Sequence, residues 1–295
     1  MSFSANVKAE LCHVPLNRSC CAVSEAYGVL LFAYQFSARE IRLITGCAPF
    51  AKRLPKLMQR AFGFAPDVRI GGAKSTFTVT DPEKIRSVFS AFGYDADSTL
   101  VNHINLGVLE ENCCKAAFLR GAFLAGGSVT DPSKRCHLEL VTDHKNVAGE
   151  TVSILLEMGF SPRVTTRSGH QVIYFKQSEA AEDFFTTIGA SGAAMELMSA
   201  KVEKEMRNAI NRQINCDSAN ADKTVSAAQS QLDRIRELER EVGLENLPAD
   251  LAEVALLRIA NPAMSLADLA LLADPPVTKS CINHRMRKLM RYQPL

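Results

Sequence analysis

The sequence predicts an α+β fold, in which a duplicated αβαββα domain is followed by an all-α domain. Two observations predict it: an internal repeat fills about the first 190 residues, and a run of short helical patterns ends the chain. A length of 295 residues also favours two domains, because domains cluster between about 100 and 200 residues. We place the duplicated domain at 1–200, a linker at 201–224 and the helical domain at 225–295.

Three motifs carry the repeat, because each recurs at a nearly constant separation, 93 residues for the first two and 96 for the third. They are Cys20-Cys21 repeated as Cys113-Cys114, Gly28 repeated as Gly121, and Gly63-Phe64 repeated as Gly159-Phe160. A fixed separation is typical of a duplicated structural unit. The two halves therefore span about 18–95 and 111–191.

Each half is predicted to contain the same six elements. The first helix is apolar nearly all round and therefore interior. A strand follows, then an amphipathic helix that ends at a Gly-Phe pair, a hairpin with a short polar or glycine turn, and a closing helix. The predicted bounds are 22–35, 41–45, a helix ending at Gly63, 67–70, 75–80 and 82–92 in the first half, then 115–126, 137–142, a helix ending at Gly159, 163–166, 171–175 and 178–188 in the second.

Small residues in the two opening helices predict that these helices pair closely about a pseudo-two-fold axis. Only small side chains let helix backbones approach that closely; they are Gly28, Ala33, Gly121, Ala125 and Gly126. The two sheets would then form one concave face, a shape suited to lying along a DNA duplex.

Composition excludes several classes of protein. With 47% hydrophobic and 22% charged residues, and no apolar run near 18 residues, the chain has no predicted membrane span. The first ten residues contain one lysine and no apolar core, so we predict no signal peptide and a cytoplasmic location.

Nine cysteines are present without any CxxC motif, which favours reduced, inert thiols. A thiol and an imidazole are adjacent only at Cys12-His13 and Cys136-His137, where neighbouring side chains point apart. We therefore predict no metal site, no cofactor and no small-molecule substrate.

The segment 118–128, FLRGAFLAGGS, resembles the signature helix of the LAGLIDADG homing endonucleases, and 26–34 resembles a degenerate second copy. The resemblance implies one metal-binding carboxylate at the foot of each helix. The matching positions are Gly126 and Ala33, which cannot bind a metal. Neither Asp131 nor Glu40 restores a symmetric pair, so we predict no catalytic residue and no nuclease activity; an active homing endonuclease is the alternative.

Residues 193–215 have a helical pattern, and 207–220 contain four asparagines. Two interpretations stay open. In the first interpretation, the segment is a linker in which Asp217 or Ser218 caps a following helix at 224–241. Alternatively, it contacts DNA through Arg207, Asn208, Asn211, Arg212 and Asn215.

Three short helices are predicted near the end of the chain, at 248–260, 265–272 and from about 277 or 278 to 290. Ser265 and Asp268 form a capping-box pattern, and Pro275-Pro276 ends the second helix. On the third, Cys281, Ile282, Met286 and Leu289 are predicted to pack inward. This arrangement predicts a helix-turn-helix at about 263–292.

The third helix is a predicted DNA reader, because five basic residues and no acidic one lie between Lys279 and Arg291. Asn283 and Arg287 suit base edges, and the remaining basic side chains suit phosphates. The predicted DNA-binding residues are Thr278, Lys279, Ser280, Asn283, His284, Arg285, Arg287, Lys288 and Arg291. The alternative is an ordinary helical bundle with a solvated basic face.

The combination of a degenerate LAGLIDADG domain, an Arg- and Asn-rich segment and a terminal helix-turn-helix resembles the WhiA family of Gram-positive bacteria over nearly the whole chain. The matching segments are 118–128, 207–220 and 265–288. The resemblance implies a transcriptional regulator or nucleoid-associated protein, involved in cell division, chromosome segregation and, in sporulating lineages, sporulation. It implies double-stranded DNA as partner, with RNA polymerase or other regulators beside it. The alternative is a protein-interaction scaffold acting through the duplicated domain.

Overall fold

The computed structural model describes residues 2–95, 102–134 and 136–293. The chain divides into two compact units, Met1–Glu205 and Met206–Leu295. The predicted domain bounds also include residues 1, 96–101, 135, 294 and 295, which lie outside the described residues.

The first unit contains a short helix and then two copies of one α/β arrangement. Its first part has helix α1 (Phe3–Leu11), helix α2 (Ser19–Leu31), strands β1 (Gln35–Phe36) and β2 (Ile41–Thr45), helix α3 (Ala48–Phe62), strands β3 (Asp67–Gly71) and β4 (Lys74–Val79), and helix α4 (Pro82–Ala91). After a 3₁₀ turn, the second copy has α5 (Asn112–Gly126), β5 (Gly127–Val129), β6 (Leu138–Thr142), α6 (Lys145–Glu157), β7 (Arg163–Arg167), β8 (His170–Phe175) and α7 (Ser178–Ile188). Two antiparallel sheets result, with the equivalent orders β1-β2-β4-β3 and β5-β6-β8-β7.

The α+β class and the duplication are confirmed, but each copy has one more strand than the sequence predicted. The helix predicted at 22–35 ends at Leu31, and Gln35 pairs with Arg42 in the first sheet. In the second copy, β5 follows α5 directly. Strands of two and three residues are too short to show an alternating pattern, which is why the sequence did not predict them.

The close pairing of α2 and α5 is confirmed by what a side chain would meet at their glycines. A Cβ on Gly28 would lie 2.0 Å from the Phe118 carbonyl oxygen, and one on Gly121 would lie 2.0 Å from the Glu25 carbonyl oxygen. Because Phe118 follows Glu25 by the same 93 residues that separate the glycines, the two contacts are equivalent. This reciprocity is the predicted pseudo-two-fold relation.

A buried charge cluster lies beside this helix pair. Glu25 is fully buried and accepts hydrogen bonds from Arg53 at 2.6 and 2.8 Å and from Arg120 at 3.1 Å. Burial lowers the pKa of Arg120, although Glu25 opposes the shift. The cluster therefore ties α3 and α5 to α2 through one carboxylate.

The second unit begins within the longest helix, α8 (Ser191–Glu241), and continues with α9 (Ala249–Ala260), α10 (Leu266–Leu271) and α11 (Lys279–Met290). The first turn of α8 is capped by Glu10, whose carboxylate accepts hydrogen bonds from the Gly192 and Ala193 amides at 2.7 and 2.9 Å.

The predicted helix start at Asp217 or Ser218 is wrong, because α8 continues without a break through the predicted linker. Residues 193–242 contain neither proline nor glycine, so nothing in the segment interrupts the backbone. The asparagines that suggested a break project from the helix and are exposed.

Among the described residues, no helix combines the length and apolar character needed to cross a bilayer.

Candidate nucleic-acid interface

One face of α11 is fixed in the core of the second unit. Ile282, Met286 and Leu289 recur at helical spacing and are at most 2% exposed. They pack with α9, α10 and the end of α8 in a core that contains Ile235, Leu238, Leu247, Leu251, Val254, Ala255, Leu269 and Ala270. With this face buried, the opposite face of α11 is directed outward.

Both ends of α11 and the preceding turn are held by hydrogen bonds. The Thr278 hydroxyl oxygen accepts from the Cys281 amide at 3.2 Å as an N-cap, and the Val277 amide donates to the Ala270 carbonyl at 3.0 Å. At the other end, Arg234 donates to the Tyr292 carbonyl at 2.8 Å. The direction of the exposed face is therefore set before any ligand binds.

Arg285 differs from the other basic residues of α11 because it is paired within the unit. Its guanidinium lies 2.8 Å from the Glu253 carboxylate on α9, and the same carboxylate accepts from the Asp274 amide at 3.3 Å. Arg285 thus links α11 to α9 and to the turn. Its geometry suits positioning of the helix better than a phosphate contact.

Thr278 is the N-cap of the helix. The other seven predicted contacts share one accessible surface, which we call the α11 face. Asn283 is half-buried and the rest are exposed; the members are Lys279, Ser280, Asn283, His284, Arg287, Lys288 and Arg291. No acidic residue occurs within α11. The face can therefore donate hydrogen bonds and positive charge to a polyanion without internal neutralisation.

Sequence reasoning missed Lys223, which lines a groove together with Lys279, Gln231 and Ser265. It lies on α8, more than fifty positions before Lys279 and next to Asp222. No local pattern connects the two lysines, so only the packing of the unit brings them to one groove.

The five predicted contacts on α8 also share one side of that helix. They occupy successive positions at the spacing i, i+1, i+4, i+5 and i+8, which lie on one helical face; they are Arg207, Asn208, Asn211, Arg212 and Asn215, and all are exposed.

Neither position that matches a homing-enzyme carboxylate can supply a metal ligand. Ala33 has no ligating side chain, and Gly126 has no room for a side chain. A Cβ on Gly126 would lie 2.3 Å from the Val141 carbonyl oxygen and 3.1 Å from the Phe32 ring. Nearby acids have other partners: Asp131 accepts from the amide and hydroxyl of Ser133. These hydrogen bonds lower the pKa of Asp131.

Two basic side chains on the exposed side of the second sheet are paired with acidic residues. Arg167 pairs with Glu139 at 2.8 Å, and His170 contacts Asp143. Burial alone would raise the pKa of Glu139, but hydrogen bonds from Arg167 and His137 lower it overall. Arg167 and His170 are therefore less available to a polyanion than the cations of the α11 face.

The structure also gathers four cysteines that sequence spacing left apart. Cys20, Cys21, Cys113 and Cys114 place all four sulfur atoms within 4.8 Å of one another. The sequence analysis predicted inert thiols and did not indicate that these four meet. The repeat itself was the available signal, because paired halves bring equivalent positions near their shared axis.

Comparisons with known proteins agree over both units. Residues 115–207 match the family described as "WhiA LAGLIDADG-like domain", and residues 210–293 match "WhiA C-terminal HTH domain". A "Probable cell division protein WhiA" from Ruminiclostridium cellulolyticum is 37% identical over 98% of this chain and 96% of its own length. One from Clostridium botulinum is 34% identical over the same shares. The full-length WhiA structure from "Thermatoga maritima" aligns over 100% of both chains with a TM-score of 0.61 at 24% identity, which shows a shared fold.

Proposed function

The chain belongs to the WhiA family, and we propose that it binds double-stranded DNA through its helix-turn-helix as a regulator in cell division. The observation that carries this proposal is the α11 face, an acid-free surface on a helix whose opposite side is locked into the core. A helix of this kind fits the major groove and presents its N-terminal part to base edges.

Roles within the face follow from side-chain chemistry. Arg287 suits a guanine edge and Asn283 an adenine edge, because each can make paired hydrogen bonds. Lys279, Lys288 and Arg291 suit phosphates, and Lys223 extends that set across the groove it shares with Lys279. Arg285 acts through Glu253 by fixing the angle of α11.

The α8 face formed by Arg207, Asn208, Asn211, Arg212 and Asn215 is a second proposed contact. These side chains offer donors to phosphate oxygens along one side of α8. Their contribution would be independent of sequence, since phosphate contacts carry no sequence information.

Catalysis is not part of the proposal. Cleavage of this kind needs carboxylates that hold divalent metals at the foot of both paired helices, and the matching positions are Gly126 and Ala33. The crowding around Gly126 also excludes restoring an acid there without moving β6. We therefore propose that the first unit keeps a nuclease-like scaffold and has no nuclease activity.

Fluorescence anisotropy with the full chain tests the proposal. Labelled promoter fragments from a WhiA-containing genome are titrated at several salt concentrations, and affinity should fall steeply as salt rises. The triple variant Lys279→Ala/Arg287→Ala/Lys288→Ala should lose most of this binding. Arg240→Ala is the control and should bind normally. It removes an exposed charge from α8, where, within the described part of the chain, the guanidinium donates only to the Arg236 carbonyl oxygen.

Binding that is absent at about 50 mM salt, or that survives the triple substitution unchanged, would contradict DNA recognition by α11. We further propose that the protein is cytoplasmic and nucleoid-associated and that it controls transcription. We also propose that it is involved in chromosome segregation and, in sporulating lineages, in sporulation. Chromatin immunoprecipitation with the same triple variant tests this cellular role.

A scaffold function for the first unit is the second candidate, favoured by apolar residues on its edge strands. Val68 and Ile70 on β3 are 45% and 81% exposed, and Val164 on β7 is 47% exposed. Edge strands with exposed apolar side chains are favourable sites for protein partners. Capture of RNA polymerase or another regulator by the full chain after nuclease treatment, lost in Ile70→Lys, would support it.

A further inference from the structure

The N-terminal ends of α2 and α5 carry matching vicinal cysteine pairs. Cys20 and Cys21 occupy the second and third positions of α2, and Cys113 and Cys114 occupy the same positions of α5. Equivalent positions of two paired helices approach each other across their pseudo-two-fold axis. The four sulfur atoms consequently lie within 4.8 Å of one another, with Cys20 and Cys21 at 4.0 Å.

This spacing suits one metal ion better than a larger cluster. Four thiolates around zinc lie about 2.3 Å from the ion, which places the sulfur atoms about 3.8 Å apart at the corners of a tetrahedron. The observed separations of up to 4.8 Å require contraction by about 1 Å, which side-chain rotation about Cα–Cβ supplies. Four sulfur ligands in a tetrahedron favour zinc among the common divalent metals.

The charge beside the cluster suits an anionic metal site. A site of four thiolates and one divalent ion has two net negative charges, and Arg18 lies 3.6 Å from the Cys113 sulfur. All four cysteines lie in the first turn of α2 or α5, where the positive end of the helix dipole stabilises negative charge. The site is also accessible to an entering ion, because Cys20 is exposed, whereas Cys114 is buried.

The frame is rigid enough to hold such a site. Gly28 and Gly121 fix the distance between α2 and α5 by direct backbone contact, so the four ligands are held by the most tightly packed helices of the unit. We propose that the first unit binds one zinc ion here. Its ligands are Cys20, Cys21, Cys113 and Cys114.

Binding displaces the thiol protons to solvent as four Zn–S bonds form, with no change in oxidation state. The ion would link the two halves of the duplicated unit at the end opposite Gly126. Its role is structural, because four protein ligands leave no open position for a substrate.

Metal analysis of the untagged full chain, purified under reducing conditions without chelators, tests the proposal. We expect about one zinc per chain, and replacement by cobalt(II) should give the visible absorption of a tetrahedral thiolate site. The variant Cys20→Ser/Cys113→Ser, which removes one ligand from each helix, should lose both signals. The matched control Cys12→Ser/Cys47→Ser removes two half-buried thiols of the same unit and should retain both.

If the ligand variant fails to fold, the zinc content and the cobalt spectrum of the unsubstituted chain still test zinc binding. Zinc below about a tenth of an equivalent, together with no cobalt absorption, would overturn it. Zinc retained in the ligand variant would overturn it as well. Disulfide bonds among these four cysteines in anaerobically purified protein would indicate a redox pair instead of a metal site. This result would also overturn the zinc proposal.

Discussion

Helices α2 and α11 show two opposite uses of a helix. Nearly every position from Ala22 to Leu31 of α2 is buried, with neighbours on all sides. By contrast, α11 buries only Ile282, Met286 and Leu289 and leaves the rest of its circumference accessible. A helix that is buried on all sides serves to pack the fold, whereas a helix that is buried on one side has an accessible surface that can bind a ligand.

Charge is distributed in the same contrasting way. In the core of the first unit, Glu25 neutralises Arg53 and Arg120. On α11, only Arg285 has an ion pair among the residues that the structure describes. Substitutions in this buried cluster should therefore change stability, and substitutions on the α11 face should change binding.

The largest expected effect is at the helix crossing. Gly121→Ala places a methyl group 2.0 Å from the Glu25 carbonyl oxygen, which must force α2 and α5 apart and cost about 5 kcal/mol or more of unfolding free energy. The same substitution at Gly149, where nothing lies within 4 Å of the added carbon, should stabilise α6 by about 0.5–1 kcal/mol. Urea unfolding of both variants measures the difference; equal stabilities would contradict the crossing.

The next effect concerns the buried carboxylate. Glu25→Gln leaves the largely buried Arg53 and Arg120 without a counter-charge, which should destabilise the protein by about 3–5 kcal/mol. Glu40→Gln breaks the more exposed pair with Arg42 and should cost at most about 1 kcal/mol. Unfolding midpoints at neutral pH compare them, and a Glu25→Gln variant as stable as Glu40→Gln would show that the cluster does not tie the helices together.

On the α11 face, substitutions of two neighbouring residues should distinguish base recognition from phosphate binding. Arg287→Ala should weaken binding to the preferred site by about 5- to 150-fold, with little effect on non-specific DNA, because it removes a base contact. Lys288→Ala should weaken both alike and lower the salt slope by about one, because it removes a phosphate contact. Anisotropy against both duplexes measures this, and urea unfolding should be unchanged for both variants. Equal losses on both duplexes for Arg287→Ala would remove its base-reading role.

Periodicity and small residues in the sequence predicted both contrasting helices. Gly28 and Gly121 indicated the close crossing, and the spacing of Ile282, Met286 and Leu289 indicated which side of α11 is buried. These features are local or repeat at a fixed separation along the chain, so they can be predicted from the sequence alone.

Other features depend on what meets in space. Strand β1 has two residues, and its pairing with β2 is what makes it a strand. The continuity of α8 through its asparagines was mispredicted, because local hydrogen-bonding preference is weaker than an uninterrupted helical backbone. The four-cysteine cluster and the groove shared by Lys223 and Lys279 join residues far apart in the chain, and no local pattern reports such meetings.

The smallest expected effect is a pH response confined to the first unit. The Asn102 amide donates to His144 Nε2 at 3.1 Å, which requires an unprotonated nitrogen, and burial lowers the pKa of His144 despite the adjacent Asp143. The folded state thus resists a proton that the unfolded chain accepts near pH 6.5. The stabilisation is fully present above about pH 6.5 and is lost as the pH falls further. His144→Gln keeps an acceptor without titrating, so urea unfolding between about pH 7.5 and 5 should show a shallower decline; equal slopes would contradict a neutral, hydrogen-bonded His144.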